Sequence, residues 1–310
     1  MYSRLYQSIL NRKFFVDIRQ ADALAAIVTK FLTRDVSGYS SKPLSASEPL
    51  EVRMVAAAPA ADAPATLSAS SQAGSASGPS SPAVAVIPLR GTMIKYGTMC
   101  SYGADEIAEA IDGAAADPKV EGVVLAVDSG GGAVDAVAPL IDAIGRSQRQ
   151  GKPVVALCDL CASAAYYVAC HCDEVLADNT ISAEFGSIGV MMQFADYAKY
   201  YEKEGIQVHT IYSSLSDYKN APFEAARRGE YAKIREEELD PVARTFQQAV
   251  KRQRGDKLDT TVEGILSGRM FFARDAVKHG LIDGIGSLEK AVADVHRLAA
   301  EAAIRRLAIS

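Results

Sequence analysis

The sequence has no long apolar run, no cluster of basic residues and few histidines, and each shortage argues against a class of function. Its apolar stretches are far shorter than the roughly 20 residues of a membrane-spanning helix. Residues 23–28 are too few for the apolar part of a signal peptide. A formal net charge of −5 gives no sign of nucleic-acid binding. We therefore expect a cytoplasmic protein that binds neither membrane nor nucleic acid.

Large apolar residues are also missing from residues 55–83, which consist mostly of Ala, Ser, Pro and Gly. Such a stretch buries too little surface to offset the entropy of ordering it, so it predicts a flexible linker. The linker would separate an N-terminal helical appendage, residues 1–54, from a main domain, residues 84–310. Within the appendage, apolar residues at helical spacing predict helix up to about residue 35.

The main domain alternates apolar strands with amphipathic helices. Strands are predicted at 84–89, 123–127, 154–157, 173–177 and 208–212. Helices are predicted at 104–115, 134–146, 162–169, 197–204, 227–254, 260–266, 273–279 and 288–307. This alternation predicts an α/β fold with a largely parallel sheet and a helical C-terminal part.

Four of the five cysteines form two close pairs, which suggests a zinc site. They are Cys158, Cys161, Cys170 and Cys172. A helix over 162–169 would hold Cys161 and Cys170 about 13 Å apart. A zinc ion needs all four sulfurs about 2.3 Å away. We therefore expect free thiols, with no metal and no cofactor.

Ser163 follows an apolar strand at the point where an uncharged helix should begin. The start of a helix presents unpaired N–H groups and a partial positive charge. Ser163 is therefore either an ordinary helix cap or an oxygen held there for chemistry.

A run of glycines, Gly130-Gly131-Gly132, follows the strand at 123–127. Asp135 stands where a dinucleotide-binding fingerprint needs Gly or Ala, and the lysine of a phosphate loop is missing, so the turn does not predict nucleotide binding. The turn either allows a strand and a helix to pack closely or directs backbone N–H groups toward an oxyanion.

A serine nucleophile usually needs a base, and the four histidines offer little support for one. They are His171, His209, His279 and His296. None has a recognisable Asp partner, and His171 falls at the far end of the helix that Ser163 begins.

Lysine is the other available base, but it must be neutral to accept a proton. Lowering the pKa of a lysine from about 10.4 to about 7.5 costs about 4 kcal/mol, which burial among apolar groups supplies. Lys219 has the most suitable neighbours, namely Tyr218, Ala221, Pro222 and Phe223. The alternative is a solvated lysine in a turn.

Several motifs, in order over about 200 residues, resemble signal peptide peptidase A and its phage relatives, the capsid-maturation proteases of the protein C type. They are Val86-Ile87-Pro88-Leu89-Arg90-Gly91, Leu125-Ala126-Val127-Asp128-Ser129-Gly130-Gly131-Gly132, Ala162-Ser163-Ala164-Ala165-Tyr166-Tyr167, Gly186-Ser187-Ile188-Gly189-Val190, Tyr218-Lys219, Gly268-Arg269-Met270-Phe271 and His279-Gly280-Leu281-Ile282-Asp283. The phage members tolerate alanine after the nucleophile, as at Ala164-Ala165, which favours that branch.

The resemblance implies a crotonase-like or Clp-protease-like spiral α/β fold and a Ser-Lys dyad. By position, Ser163 matches the nucleophile and Lys219 the general base. Ser187 matches a serine that helps to hold the lysine. Gly132, with Gly131 beside it, matches the oxyanion-binding turn, and the N–H of Ala164 is a second donor.

The resemblance also implies a function: a serine endopeptidase that cleaves phage scaffold or capsid proteins during head maturation. It would act in the cytoplasm or inside the phage prohead, as a homo-oligomer that contacts scaffold, portal or capsid proteins. Two alternatives remain open at this point. One is a crotonase-like enzyme acting on acyl-CoA thioesters, and the other is an inactive structural homologue.

Overall fold

The computed structural model describes the backbone of residues 14–16 and, beyond them, residues 50–56, 82–97, 101–194 and 196–309. The strands are β1 (Phe14–Val16), β2 (Arg53–Ala56), β3 (Ala83–Arg90), β4 (Val120–Ser129), β5 (Gly131–Ala133), β6 (Val154–Ala162), β7 (Glu174–Ala177), β8 (Glu184–Gly186), β9 (Met270–Phe272) and β10 (Gly284–Ile285). The helices are α1 (Ala104–Ala116), α2 (Val137–Arg149), α3 (Ala164–Ala169), α4 (Ala198–Lys203), α5 (Ala221–Arg227), α6 (Ala232–Ile234), α7 (Asp240–Arg254), α8 (Ala273–Lys278) and α9 (Leu288–Ile309). A π-helical segment, Arg235–Leu239, joins α6 to α7.

The main sheet has the strand order β10-β7-β6-β4-β3-β2, and every neighbouring pair is parallel except β2 with β3. Strand β6 is long enough to have two neighbours on one side. Its first half pairs with β7 and its second half pairs in parallel with β8. The sheet therefore changes its neighbouring strand along the length of β6. The predicted fold class, α/β with a largely parallel sheet and a helical C-terminal part, is confirmed.

The central strands are buried on both faces because their side chains alternate between two cores. On one face, Ile87 and Leu125 belong to the large core that includes residues of α1, α2 and α3. On the other face, Val86 and Val124 pack with Val295 of α9. The continuous apolar runs that predicted buried strands arise from this double burial.

The structure corrects the prediction for the N-terminal part of the chain at two places. Residues 14–16 form strand β1 instead of helix, and residues 55–56 belong to β2, which adds an antiparallel edge strand to the sheet. The rest of the predicted helix and residues 57–81 of the predicted linker lie outside the described residues. The division into appendage, linker and main domain stays a prediction.

Two predicted elements of the main domain are wrong, and a third is interrupted. Residues 208–212 form no strand, and residues 260–266 form turns instead of a helix, with Gly264 at a φ of 78°. The predicted helix 227–254 is broken between α5 and α6, where Gly229 has a φ of 86°. Of the helices that the structure describes, none combines the length and the apolar character that crossing a bilayer requires.

Candidate active site

Three predicted site segments directly follow three parallel strands. The glycine turn follows β4, Ser163 follows β6, and Ser187 follows β8. Strand β6 pairs in parallel with both β4 and β8, and the carboxyl ends of parallel strands lie at the same edge of a sheet. The topology therefore brings these segments together around Ser163.

Ser163 lies in a tight turn between β6 and α3. Its backbone has φ 56° and ψ −119°, a conformation that a side chain other than glycine rarely adopts. Its N–H donates to the carbonyl oxygen of Gly186 at 2.8 Å, and its own carbonyl accepts the N–H of Tyr167 at 2.9 Å. These two bonds fix the strained backbone between β8 and the first turn of α3.

The hydroxyl of Ser163 does not cap the helix. The residue occupies the cap position and is only 1% exposed, yet its side chain makes no capping hydrogen bond. A serine that only capped α3 would accept an N–H from the first turn. Backbone strain of this kind is found most often at functional sites, and the hydroxyl of Ser163 does not have the role of an ordinary helix cap.

The glycine turn is held by a buried serine that sequence analysis had not singled out. The hydroxyl of Ser129, fully buried, donates to the carbonyl of Gly91 at 2.5 Å and accepts the N–H of Gly131 at 3.1 Å. The N–H of Gly131 is therefore used inside the turn and is not free for a ligand. The only signal in the sequence was a serine between an apolar strand and glycines.

Gly132 is required at its position by close packing. A Cβ atom on Gly132 would lie 2.0 Å from the carbonyl oxygen of Met93. On that side of β5, Met93 donates its N–H to Gly131 and accepts the N–H of Ala133. Since successive residues of a strand direct their N–H and C=O groups to opposite edges, those of Gly132 point to the other edge.

Ser187 lies beside Ser163 because Gly186 joins them. The register pairs Ala162 with Gly186, whose φ of 125° suits glycine. A Cβ there would lie 2.3 Å from the carbonyl oxygen of Arg269, which accepts the N–H of Ser187. Ser187 itself has a positive φ of 53°. The structure therefore brings Ser187 next to the candidate nucleophile.

Lys219 is placed differently from the other predicted site residues. Its side chain is exposed and makes no hydrogen bond or ion pair within the part of the chain that the structure describes. Its backbone N–H donates to Ser216 at 3.1 Å, and Asn220 beside it has a left-handed φ of 60° just before α5. The structure does not join Lys219 to Ser163.

Three of the four histidines contact other residues. Nδ1 of His171 donates to the carbonyl of Tyr167 at 2.7 Å, and burial lowers the pKa of this imidazole. Nδ1 of His296 contacts Glu121 at 2.6 Å, and His279 lies against the ring of Phe271. Among the described residues, no histidine bonds to Ser163.

The clustered cysteines are free thiols, of which Cys158, Cys161 and Cys170 are buried and Cys172 is half-buried. Burial raises the pKa values of Cys158 and Cys172 well above the usual range of a thiol, which opposes the thiolate form that zinc binds. Over the residues described, no group of His, Cys, Asp and Glu side chains has the arrangement of a metal site.

The helix that follows Ser163 is anchored to the C-terminal part of the domain. The hydroxyl of Tyr166, fully buried in α3, donates to the carbonyl of Leu281 at 2.7 Å. Two residues further on, Asp283 accepts a bidentate bond from Arg254 at 2.8 and 3.0 Å, and a bond from the N–H of Val175. The motif around residue 281 therefore anchors the helix that follows Ser163.

Comparison with known proteins identifies the family of the chain. A model of peptidase family S49 matches residues 146–302, half of the chain, and the chain belongs to this family. The chain is 33% identical over 215 residues to the head-tail preconnector protein GP5 of Enterobacteria phage P21. The matched region covers 67% of this chain and 42% of that protein.

Two further relatives represent the phage and the bacterial branches. Capsid assembly protease C of Escherichia phage lambda is 29% identical over 208 residues, covering 64% of this chain and 46% of the relative. Protease 4 of Haemophilus influenzae is 29% identical over 218 residues, covering 69% of this chain and 34% of the relative. The chain spans less than half the length of each of these relatives. The resemblance read from the sequence motifs is confirmed.

Proposed function

We propose that the chain is a serine endopeptidase with Ser163 as its nucleophile. The observation that carries the proposal is the environment of Ser163 at the ends of three parallel strands. The residue is buried, its backbone is strained, and its hydroxyl makes no helix-capping hydrogen bond. Membership of peptidase family S49 supports the same reaction class. Neither observation favours acyl-CoA chemistry.

In the proposed reaction, the neutral amine of Lys219 takes the proton of the Ser163 hydroxyl. The oxygen attacks the carbonyl carbon of a peptide bond, and the N–H groups of Gly132 and Ala164 stabilise the oxyanion. The C–N bond then breaks, and the leaving amine takes the proton from Lys219. The same lysine then takes a proton from water, whose oxygen attacks the ester carbon. The bond from that carbon to the Ser163 oxygen breaks, and the Ser163 oxygen takes the proton back from the lysine. Ser187 would hold the lysine amine in place.

The segment before Lys219 supports the proposal that copies of the chain assemble. Between α4 and α5 several large apolar side chains face solvent, which is unusual for so short a stretch. They are Ile206, Val208, Ile211, Leu215 and Tyr218, exposed by 52, 69, 91, 93 and 58%. A neighbouring copy that covered them would also remove water from around Lys219, and burial of this kind favours a neutral amine.

The substrates we propose are scaffold or capsid proteins of a phage, cleaved in the cytoplasm or inside the prohead. The support is the similarity to proteins described as a capsid assembly protease and a head-tail preconnector protein. Such substrates would reach the site as extended protein segments.

The test compares the full-length chain with Ser163→Ala, using a labelled casein and mass spectrometry of self-trimming. The control is Ser287→Ala, which changes an exposed serine before α9. We expect Ser163→Ala to lose at least about a thousandfold in cleavage rate and Ser287→Ala to cleave like the wild type. Equal cleavage by the wild type and Ser163→Ala would refute the proposal.

A further inference from the structure

Strand β1 forms a two-stranded antiparallel sheet with β5, the strand that contains Gly132. The register pairs Phe14 with Ala133, Phe15 with Gly132 and Val16 with Gly131. The N-terminal part of the chain therefore lies, as extended backbone, against the glycine turn of the candidate active site.

The edge of β5 that β1 covers is the edge to which Gly132 directs its N–H and C=O. Met93 occupies the opposite edge through Gly131 and Ala133, so the backbone groups of Gly132 face Phe15. The N–H that we propose as an oxyanion donor is thus directed at the backbone of the chain's own residue 15.

Helix α3, which begins directly after Ser163, packs against both β5 and β1. The pair β1–β5 therefore lies beside the candidate nucleophile. An extended peptide that paired with this edge of β5 would take the place of β1, since strand addition uses backbone hydrogen bonds.

We propose that residues 14–16 act as an internal occupant of the substrate-binding edge of β5 and thereby hold the site closed. The inference rests on the proposed function and adds an inhibitory segment and its location. Because the segment is tethered, its effective concentration is on the order of millimolar. A substrate at lower concentration then binds only the fraction of molecules in which β1 has left.

The test uses two proline variants of the full-length chain. Phe15→Pro removes the N–H that faces Gly132, whereas Val16→Pro removes an N–H that points away from β5. Proline at 16 also restrains residue 15 to extended backbone, which suits a strand. Val16→Pro is therefore the matched control.

The first measurement is hydrogen exchange of the Gly132 amide in the Ser163→Ala background, which needs no catalysis. We expect protection in the parent and in Val16→Pro, and loss of protection in Phe15→Pro. An amide that exchanges equally fast in all three would overturn the inference. If the parent loses this protection on dilution, the strand paired with β5 comes from another copy of the chain. That result would also overturn the inference.

The second measurement is the rate at which a fluorophosphonate probe labels Ser163 in the catalytically intact background. If nine-tenths of the molecules are closed, Phe15→Pro should label about tenfold faster than the wild type. A synthetic peptide of residues 10–20 should slow Phe15→Pro again. Faster exchange at Gly132 without faster labelling would show that the strand does not close the site.

The two proposals fail in different ways. If no variant labels at Ser163 or cleaves casein, the peptidase proposal fails, while hydrogen exchange still decides whether residues 14–16 cover Gly132. If the wild type cleaves casein and Phe15→Pro changes neither exchange nor labelling, only the internal occupant fails.

Discussion

The surroundings of Ser163 and those of Lys219 differ in how the chain supports them. Ser163 is 1% exposed and lies between β6, β8 and α3, with its backbone fixed by bonds to two of them. Lys219 lies near the end of residues 204–220, which form neither helix nor strand and in which Leu215 is 93% exposed. A single chain therefore builds the nucleophile half of the proposed site, while the base half needs burial that the described residues do not supply.

The first prediction tests the base half, where we expect the largest effect on activity and the smallest effect on stability. Lys219→Ala should lower kcat/KM by about a hundred- to ten-thousandfold, the range for loss of a general base. Its midpoint of thermal unfolding should stay unchanged, because the side chain has no partner in the described part of the chain. Casein cleavage and thermal unfolding measure the two quantities.

Two controls sharpen this prediction. Lys219→Arg keeps a long, nitrogen-bearing side chain but supplies a guanidinium that does not give up its proton near pH 7, so it should be as inactive as Lys219→Ala. Lys203→Ala, at an exposed position in α4, should cleave like the wild type. Full activity of Lys219→Ala would assign the base to another residue.

The second prediction concerns the ion pair of Asp283 and Arg254, which anchors the part of the fold around Ser163. It is tested through the pH dependence of stability. Burial would raise the pKa of Asp283, but the hydrogen bonds and charge of Arg254, and then Lys257, lower it from 3.8 to about 2. This difference corresponds to about 2 kcal/mol of stability at pH 7. Because the folded-state pKa is the lower one, this stability is present above about pH 4 and is lost as the pH falls toward 2.

Urea unfolding between pH 7 and pH 2 measures this contribution. Asp283→Asn should destabilise the protein at pH 7 by about 3 kcal/mol, because it leaves buried Arg254 without its partner. Asp283→Asn should also remove about 2 kcal/mol of the stability that the wild type loses as the pH falls. If both proteins lose the same stability between pH 4 and pH 2, Asp283 does not have this role.

The third prediction concerns the glycine turn. Ser129→Ala leaves the N–H of Gly131 and the carbonyl of Gly91 without their partner, so it should cost about 1–3 kcal/mol of stability. It should also lower kcat, because Gly132 is no longer held in position. Denaturant unfolding and casein kinetics measure these effects.

Ser147 offers the matched control for Ser129. It is equally buried and donates one hydrogen bond, to the carbonyl of Lys152 at 2.8 Å, at the end of α2. Ser147→Ala should lose a similar amount of stability and keep its kcat. Equal kinetic effects of the two substitutions would mean that Ser129 only stabilises the fold.

The fourth prediction has the smallest effect on the single chain. Leu215→Ser should change the stability of the monomer by less than about 0.5 kcal/mol, because the side chain is already in solvent. If copies pack on this segment, the same change should weaken their association in sedimentation velocity. Ile304→Ser, at a 67% exposed position of α9, is the control. Identical sedimentation of all three proteins would argue against assembly through residues 206–218.

The comparison of the two regions also explains what the sequence was able to predict. The buried strands around Ser163 gave clear signals because both of their faces are covered, and the helix start at Ser163 is confirmed. Residues 208–212 are mostly β-branched or aromatic, as in a strand, but in the structure they form no strand and Val208 and Ile211 are exposed. Local composition does not reveal whether a sheet edge is available.

Long-range contacts account for the other differences. The pairing of β1 with β5 joins segments more than one hundred residues apart, so the apolar residues near position 14 were interpreted as part of a helix. The support of Gly131 by Ser129, and of Ser187 by Arg269, likewise depends on backbone geometry that no residue pattern encodes. Sequence motifs located these positions, and only the fold assigned their contacts.

The most direct test of the account is to locate the adduct that a fluorophosphonate probe forms on the full-length chain, by peptide mass spectrometry. We predict one adduct, on Ser163, which is absent from Ser163→Ala and strongly reduced in Lys219→Ala. An adduct on another residue, or equal labelling of the wild type and Lys219→Ala, would contradict the claim that this chain joins a prebuilt serine to a lysine base.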